Sequence, residues 1–195
     1  MQLIIIQHTQ SVHHTNKMIG AHTNWELTSK GVSDAISIAN YLDTLDLQDF
    51  KLISSDLMRA KQVAEIISRK LNLKVSYCKK LREVDLGEAT GKSVSWFNEY
   101  KTKETEDMFS YKPFPSAESN YDLYIRMSSV RQELIKRNEN VIIVSHGGAI
   151  NFLIRSFISE DINIAKSISF RGSAGGITIA SYDEGFKINK FNQQI

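Results

Sequence analysis

The chain has 195 residues, 42% hydrophobic and 24% charged, with a formal net charge of +2 at pH 7. That length suits one domain over residues 1–195 with a sizeable core. Lys and Arg are spread among acids, without the basic groove that nucleic-acid binding requires. The single cysteine, Cys78, rules out an intramolecular disulfide and reads as a small apolar residue behind a strand. No apolar run reaches membrane-spanning length and the first strand begins at once, so no signal peptide, no membrane and a cytoplasmic setting are expected.

The first element is Leu3-Ile4-Ile5-Ile6, an aliphatic run that reads as a strand buried on both faces and ends at Gln7-His8-Thr9-Gln10-Ser11. A polar loop follows, in which His13 and His14 face solvent at the border of a pocket. Thr28 has the chemistry of an N-cap, and Val32, Ala35, Ile36, Ala39 and Leu42 keep helical spacing to about Asp43. Residues 51 to 55 form a second strand. A helix from Asp56 carries Leu57, Ala60, Val63, Ile67 and Leu71 on one face, and Leu73 to Tyr77 makes a third strand.

Leu81 to Glu88 reads as a loop and Gly91 to about Met108 as a helix. Lys112-Pro113-Phe114-Pro115-Ser116, with both prolines of the chain, ends that helix. Leu123, Met127, Val130 and Leu134 mark another helix. Val141 to Ser145 repeats the opening design, an aliphatic strand followed by a histidine, His146, and Ala149 to Phe157 is its helix. Ile164 to Phe170, Gly176 to Tyr182 and Phe186 to Lys190 are strand-like, the last two joined by the hairpin signal Asp183-Glu184-Gly185. The alternation predicts an α/β fold, a three-layer α/β/α sandwich with a mostly parallel central sheet and an antiparallel edge.

If the two histidine strands are parallel neighbours, His8 and His146 emerge at one sheet edge, where open α/β sheets bind ligands. Arg59, in the first turn of the helix after the second strand, arrives there too. A neutral imidazole accepts a phosphoryl group without a metal. An arginine and a second histidine neutralise its equatorial oxygens, and a carboxylic acid protonates the leaving oxygen. Glu83 is the candidate acid, although Arg82 and Glu83 taken by themselves read first as a solvated loop pair.

Six stretches, in order, resemble the histidine phosphatase superfamily with its phosphoglycerate-mutase-like fold. They are Gln7-His8-Thr9-Gln10-Ser11; Ala21-His22-Thr23-Asn24 with Leu27-Thr28 and Gly31; Ser55-Asp56-Leu57-Met58-Arg59-Ala60 continuing to Ala64; Leu81-Arg82-Glu83 with Gly87 and Gly91; Ala117-Glu118-Ser119 with Arg126-Met127; and Ser145-His146-Gly147-Gly148. The resemblance implies His8 as the phosphorylated nucleophile, His146 as a second phosphate-binding histidine, Arg59 as a clamp and Glu83 as the proton donor. It further implies substrate contacts at Gln7, Gln10, Ser11, Thr23 and Gly147. The activity implied is metal-independent hydrolysis of small phosphomonoesters with no cofactor, the small phosphorylated molecule being the expected partner of a monomer or homodimer.

The first motif departs from the family pattern. Gln7 stands at its arginine, Thr9 at its glycine and His14 at its asparagine. A charge-assisted contact of the kind an arginine makes is worth about 1.5–3 kcal/mol, and Thr9 puts a side chain where backbone would approach a phosphate. Two same-fold alternatives stay open: a catalytically weakened phosphate- or partner-binding regulatory module, and a phosphoglycerate-type mutase, disfavoured because only residues 92 to 120 could cover the site. A metal site of His8, His13, His14 and His22 would lack a completing cysteine or carboxylate. Trp96, Phe97, Tyr100, Phe109 and Tyr111 either wall the entrance or pack their helix down.

Overall fold

Alternate side chains of the opening aliphatic run serve opposite faces of one sheet. In the computed structural model, which describes Met1–Ile195, β1 (Gln2–Gln7) lies inside a six-stranded sheet. Its neighbours are β2 (Lys51–Ser54), β3 (Val75–Tyr77), β4 (Val141–Ser145), β5 (Ile177–Tyr182) and β6 (Phe186–Gln193), in the order β3-β2-β4-β1-β5-β6. The first four strands of that order run parallel, while β5 and β6 are antiparallel. Leu3 and Ile5 join one core with Leu123, Met127, Ile143 and Leu153. Ile4 and Ile6 join the other with Ala35, Ile38, Val63, Ile67 and Val144. This is the period-two packing of a strand buried on both sides.

The first core is covered by α5 (Asn120–Arg137) and α6 (Gly147–Ile158), the second by α2 (Ser29–Asp43) and α3 (Met58–Leu71). The Thr28 hydroxyl accepts the Gly31 amide at 3.0 Å, capping α2 as its sequence requires. Helices α3 and α5 both end on an asparagine in the left-handed region, Asn72 and Asn138. No helix is long and apolar enough to cross a membrane.

The register positions the site. Ile6 pairs with Val144 and Gln7 with Ser145, so His8 and His146 leave adjacent strands at the same level.

Four expectations need correction. The helix expected from Gly91 to Met108 is only α4 (Val94–Tyr100). The sequence Lys101-Thr102-Lys103-Glu104-Thr105-Glu106-Asp107 offers no apolar face to hold a longer one. Ile164 to Phe170 is not a strand, because α7 (Ile162–Ser167) occupies most of it. Its Asp161 side chain caps the Asn163 amide at 2.8 Å, and Ala165 is buried while Ile164 is exposed, the reverse of a strand pattern. Strand β3 begins two residues later than expected. Finally, a one-turn helix, α1 (Val12–Thr15), replaces open loop and carries His13 and His14.

Candidate active site

His8 is 3% exposed at the end of β1. Its Nδ1 lies 2.8 Å from the Thr9 carbonyl, which can only accept, so Nδ1 carries the proton and Nε2 the lone pair. Arg59 completes that assignment by donating from Nε to Nε2 at 3.1 Å. Burial first, and then the Arg59 charge, hold the His8 imidazole well below its ordinary value of 6.5, so it is neutral at pH 7.

Arg59 is 1% exposed. Its terminal nitrogens donate to the carbonyls of Thr23 at 2.9 Å and Ala21 at 2.8 Å. Burial lowers it to about 10, partly countered by Glu83, so it stays charged at neutral pH. His146 is fully buried and its ring sits edge-on to His8 with centroids 5.1 Å apart. Its Nε2 bonds the Ser55 hydroxyl at 2.8 Å, and its Nδ1 is buried without a partner. Burial, then His8 and Arg59, keep it neutral as well.

Glu83 reaches this group from its loop. Its carboxylate accepts the amides of Gly148 at 3.0 Å, Ala149 at 3.1 Å and Val84 at 2.9 Å, two of them in the first turn of α6. Helix N-termini favour negative charge at this position. The loop itself is pinned from outside. Arg126 grips Glu118 through two hydrogen bonds of 2.8 and 2.6 Å and donates to the carbonyls of Lys80, Arg82 and Glu83. Glu118 also accepts the Asp85 amide, and Arg82 makes a two-point pair with Asp56. His22 donates to the Glu83 carbonyl at 2.8 Å.

His14 is exposed at the pocket border as expected, whereas His13 is half-buried. Both line the same cavity of about 280 Å3 as Gln7, His8, Arg59 and Glu83. His14 stacks on His8 at 5.5 Å with ring planes 15° apart, and its Nδ1 accepts the Ser11 amide at 3.1 Å. His13 is half-buried with Nδ1 at 2.6 Å from the Ser11 hydroxyl. Desolvation, followed by His14 and Arg59, depresses it to about 3.

The other sequence-derived residues divide. Gly147 lines the cavity, and a Cβ there would lie 3.3 Å from the Gln7 amide nitrogen. Gln10, Ser11, Thr23 and the fully buried His146 stand outside the lining. Gln10 accepts the Thr28 hydroxyl at 2.7 Å, Ser11 holds His13 and His14, and the Thr23 hydroxyl donates to the Gly20 carbonyl. Thr9 also points away, donating to the Gly31 carbonyl at 2.7 Å. None of the five aromatic residues enters the lining. Trp96 and Phe97 pack on Phe114, and Phe109 joins the core under α5 and α6. The four-histidine metal set does not assemble, because His22 turns to Asp85 at 3.4 Å and to the Glu83 carbonyl.

Sequence reasoning quoted Asp56, Glu118 and Arg126 only as members of motifs and gave none of them a role. Each acts on loop 80–85 from another element, which no local periodicity encodes.

A neutral imidazole and a buried arginine thus meet at the carboxyl ends of the parallel strands, the edge where open α/β sheets bind ligands. The chain belongs to the histidine phosphatase superfamily (branch 1), whose sequence profile matches residues 3–194. It is 29% identical over 190 residues to a broad-specificity phosphatase of Saccharomyces cerevisiae, covering 93% of this chain and 80% of that one. It is 28% identical over 163 residues to human 6-phosphofructo-2-kinase/fructose-2,6-bisphosphatase 3, covering 81% of this chain but 30% of the longer protein. The alpha-ribazole phosphatase of Shigella flexneri superposes with a TM-score of 0.84 at 19% identity over 99% of this chain and 96% of that one, a likeness of fold.

Proposed function

We propose that this protein is a metal-independent phosphatase that cleaves small phosphomonoesters through a phosphohistidine on His8. The observation that carries this reading is the tautomer of His8: Nδ1–H is spent on the Thr9 carbonyl, which leaves the Nε2 lone pair beside Arg59 at the cavity. Family membership and the yeast relative, named a phosphatase, support it.

In the first step the Arg59 Nε–H leaves Nε2 for an incoming phosphoryl oxygen, and the freed Nε2 lone pair attacks phosphorus as the bond to the leaving oxygen breaks. Arg59 neutralises the transferring oxygens, and the unpartnered Nδ1 of His146 and the Gln7 amide are further candidate contacts. Glu83 gives the leaving oxygen its proton. The α6 amides and Val84 hold its carboxyl group at the cavity for that transfer. In the second step Glu83, now ionised, takes a proton from water, which cleaves the P–N bond and releases phosphate. Gly147 leaves room beside Gln7, whereas Ser11, Thr23 and Gln10 support His14, Arg59 and Thr28. With Gln7 bringing no charge, turnover is expected to be modest.

The test is turnover of an aryl phosphate with and without chelator, with mass spectrometry for a phosphoryl group on His8. A His8 adduct, with activity that survives chelation and vanishes in His8→Ala, supports the reading. Phosphate binding with neither adduct nor turnover would support the binding-module alternative instead.

A further inference from the structure

The cavity is poor in positive charge. Among its 14 lining residues Arg59 is the single cation and Glu83 the single carboxylate. Three guanidinium contacts already go to His8, Thr23 and Ala21, so Arg59 serves one phosphoryl group and has no reach toward a second anion. The rest of the wall is apolar or uncharged and includes Met18, Ile19, Val84 and Leu86. Nearby lysines are committed elsewhere or lie outside. Lys92 sits over the Trp96 ring, Lys101 pairs with Glu104 and Lys112 with Asp122, while Lys17 and Lys103 are exposed and do not line the cavity. Two residues along the chain from Glu83, Asp85 pairs with His22 at 3.4 Å.

We infer that the site selects monophosphates of compact, uncharged alcohols or phenols with an apolar face, and discriminates against substrates carrying a second anionic group, with Met18 and Ile19 as specificity-determining residues. A second carboxylate or phosphate on the leaving group would leave water for apolar side chains with Arg59 already committed and Glu83 the single carboxylate of the lining, an uncompensated desolvation. A phenyl ring or short alkyl chain instead buries apolar surface against Met18, Ile19, Val84 and Leu86. The cavity, about 280 Å3, is at or below the low end of the roughly 300–1,000 Å3 of clefts that enclose drug-sized ligands, which sets the limit on size.

This inference rests on Arg59 and His8 being the phosphoryl seat, and its test is separable from the hydrolysis reading. Binding of phenylphosphonate and 4-carboxyphenylphosphonate, which cannot turn over, is measured by calorimetry at pH 7.5, beside kcat/KM for phenyl phosphate and 4-carboxyphenyl phosphate. The uncharged ring is expected to win by tenfold or more in both. Met18→Lys should reverse or erase the preference, and Ile19→Lys provides a second variant, since neither residue belongs to a core cluster. Preference among the phosphonates without any hydrolysis would sink the phosphatase reading and support this one. Hydrolysis with equal or better use of the carboxylated substrate overturns this one, as does binding of neither phosphonate.

Discussion

Arg59 donates from Nε to Nε2 of His8 at 3.1 Å while its two terminal nitrogens hold the carbonyls of Thr23 and Ala21. The arginine is therefore fastened to the loop before α2 while its Nε–H reaches the His8 ring. A lysine has one point charge and cannot make all three contacts. Arg59→Lys is expected to lower kcat/KM by about 10²–10³-fold, the usual loss of one preorganised charge donor. Urea unfolding should also show the loop carbonyls losing their partners, by about 1–3 kcal/mol.

Glu83→Gln removes a proton donor and keeps the shape of the side chain. It should slow poor leaving groups, such as alkyl phosphates, far more than nitrophenyl phosphate, because only the former need protonation. Equal slowing of both would assign Glu83 to electrostatics or to structure.

Arg126 touches no lining residue except the backbone carbonyl of Glu83, so its effect is positional. Arg126→Ala should release loop 80–85 and reproduce the leaving-group signature of Glu83→Gln at smaller amplitude, about tenfold in kcat for alkyl phosphates. Arg126→Lys should rescue part of it. A uniform loss of stability with an unchanged leaving-group profile would contradict the positioning role.

Acid should destabilise this protein at an unusually high pH. His8 and His146 are buried and held neutral, well below 6.5, so the unfolded chain binds protons that the folded one refuses. Stability is then full above 6.5 and falls as pH drops from 6.5 toward the native values, by about 1.4 kcal/mol per pH unit for each fully buried imidazole. His13, lowered to about 3, adds in the same direction. The carboxylates with lowered values, Asp56 and Asp122, begin to contribute only near and below 3.8. Urea titrations from pH 7.5 to 5 should show the slope, and His146→Gln should reduce it. A flat profile over that range would show that the imidazoles protonate freely in the folded state.

Gln7 lies against Gly147, and a Cβ at Gly172 would come within 3.0 Å of its oxygen. Both glycines leave room beside position 7. Gln7→Arg should raise turnover of an aryl phosphate by about tenfold or more, one charge-assisted contact in the transition state. Adding Thr9→Gly should give no further gain, because the Thr9 side chain faces Gly31 and not the cavity. It should instead cost about 1 kcal/mol or more, from the lost hydrogen bond and the added backbone freedom. Steady-state kinetics and melting curves on both variants decide this.

Much of the fold was legible in the chain because it rests on local patterns. Leu3 to Ile6 and Val141 to Val144 are aliphatic on every residue, which only a strand buried on both faces tolerates, and each run ends in a histidine. That placed His8 and His146 at one edge, and the Ser55-to-Ala64 stretch brought Arg59 to them. The strand-like reading of Ile164 to Phe170 failed because Lys166 interrupts the face shared by Ile164, Ile168 and Phe170, while a capping aspartate and a buried Ala165 favour a helix. The acidic and basic run after Tyr100 was overextended as a helix for want of any packing partner.

What only the tertiary structure decided was which polar atoms meet. The tautomer of His8 depends on the Thr9 carbonyl and on Arg59, 51 residues away. The stacking of His14 on His8, the seat of Glu83 on the α6 amides and the clamp of Arg126 on loop 80–85 join elements far apart in sequence. Hydrophobic periodicity is a property of one segment and is written in the chain. A hydrogen bond between side chains of different segments has no such period, and exists only once the sheet register has set their separation.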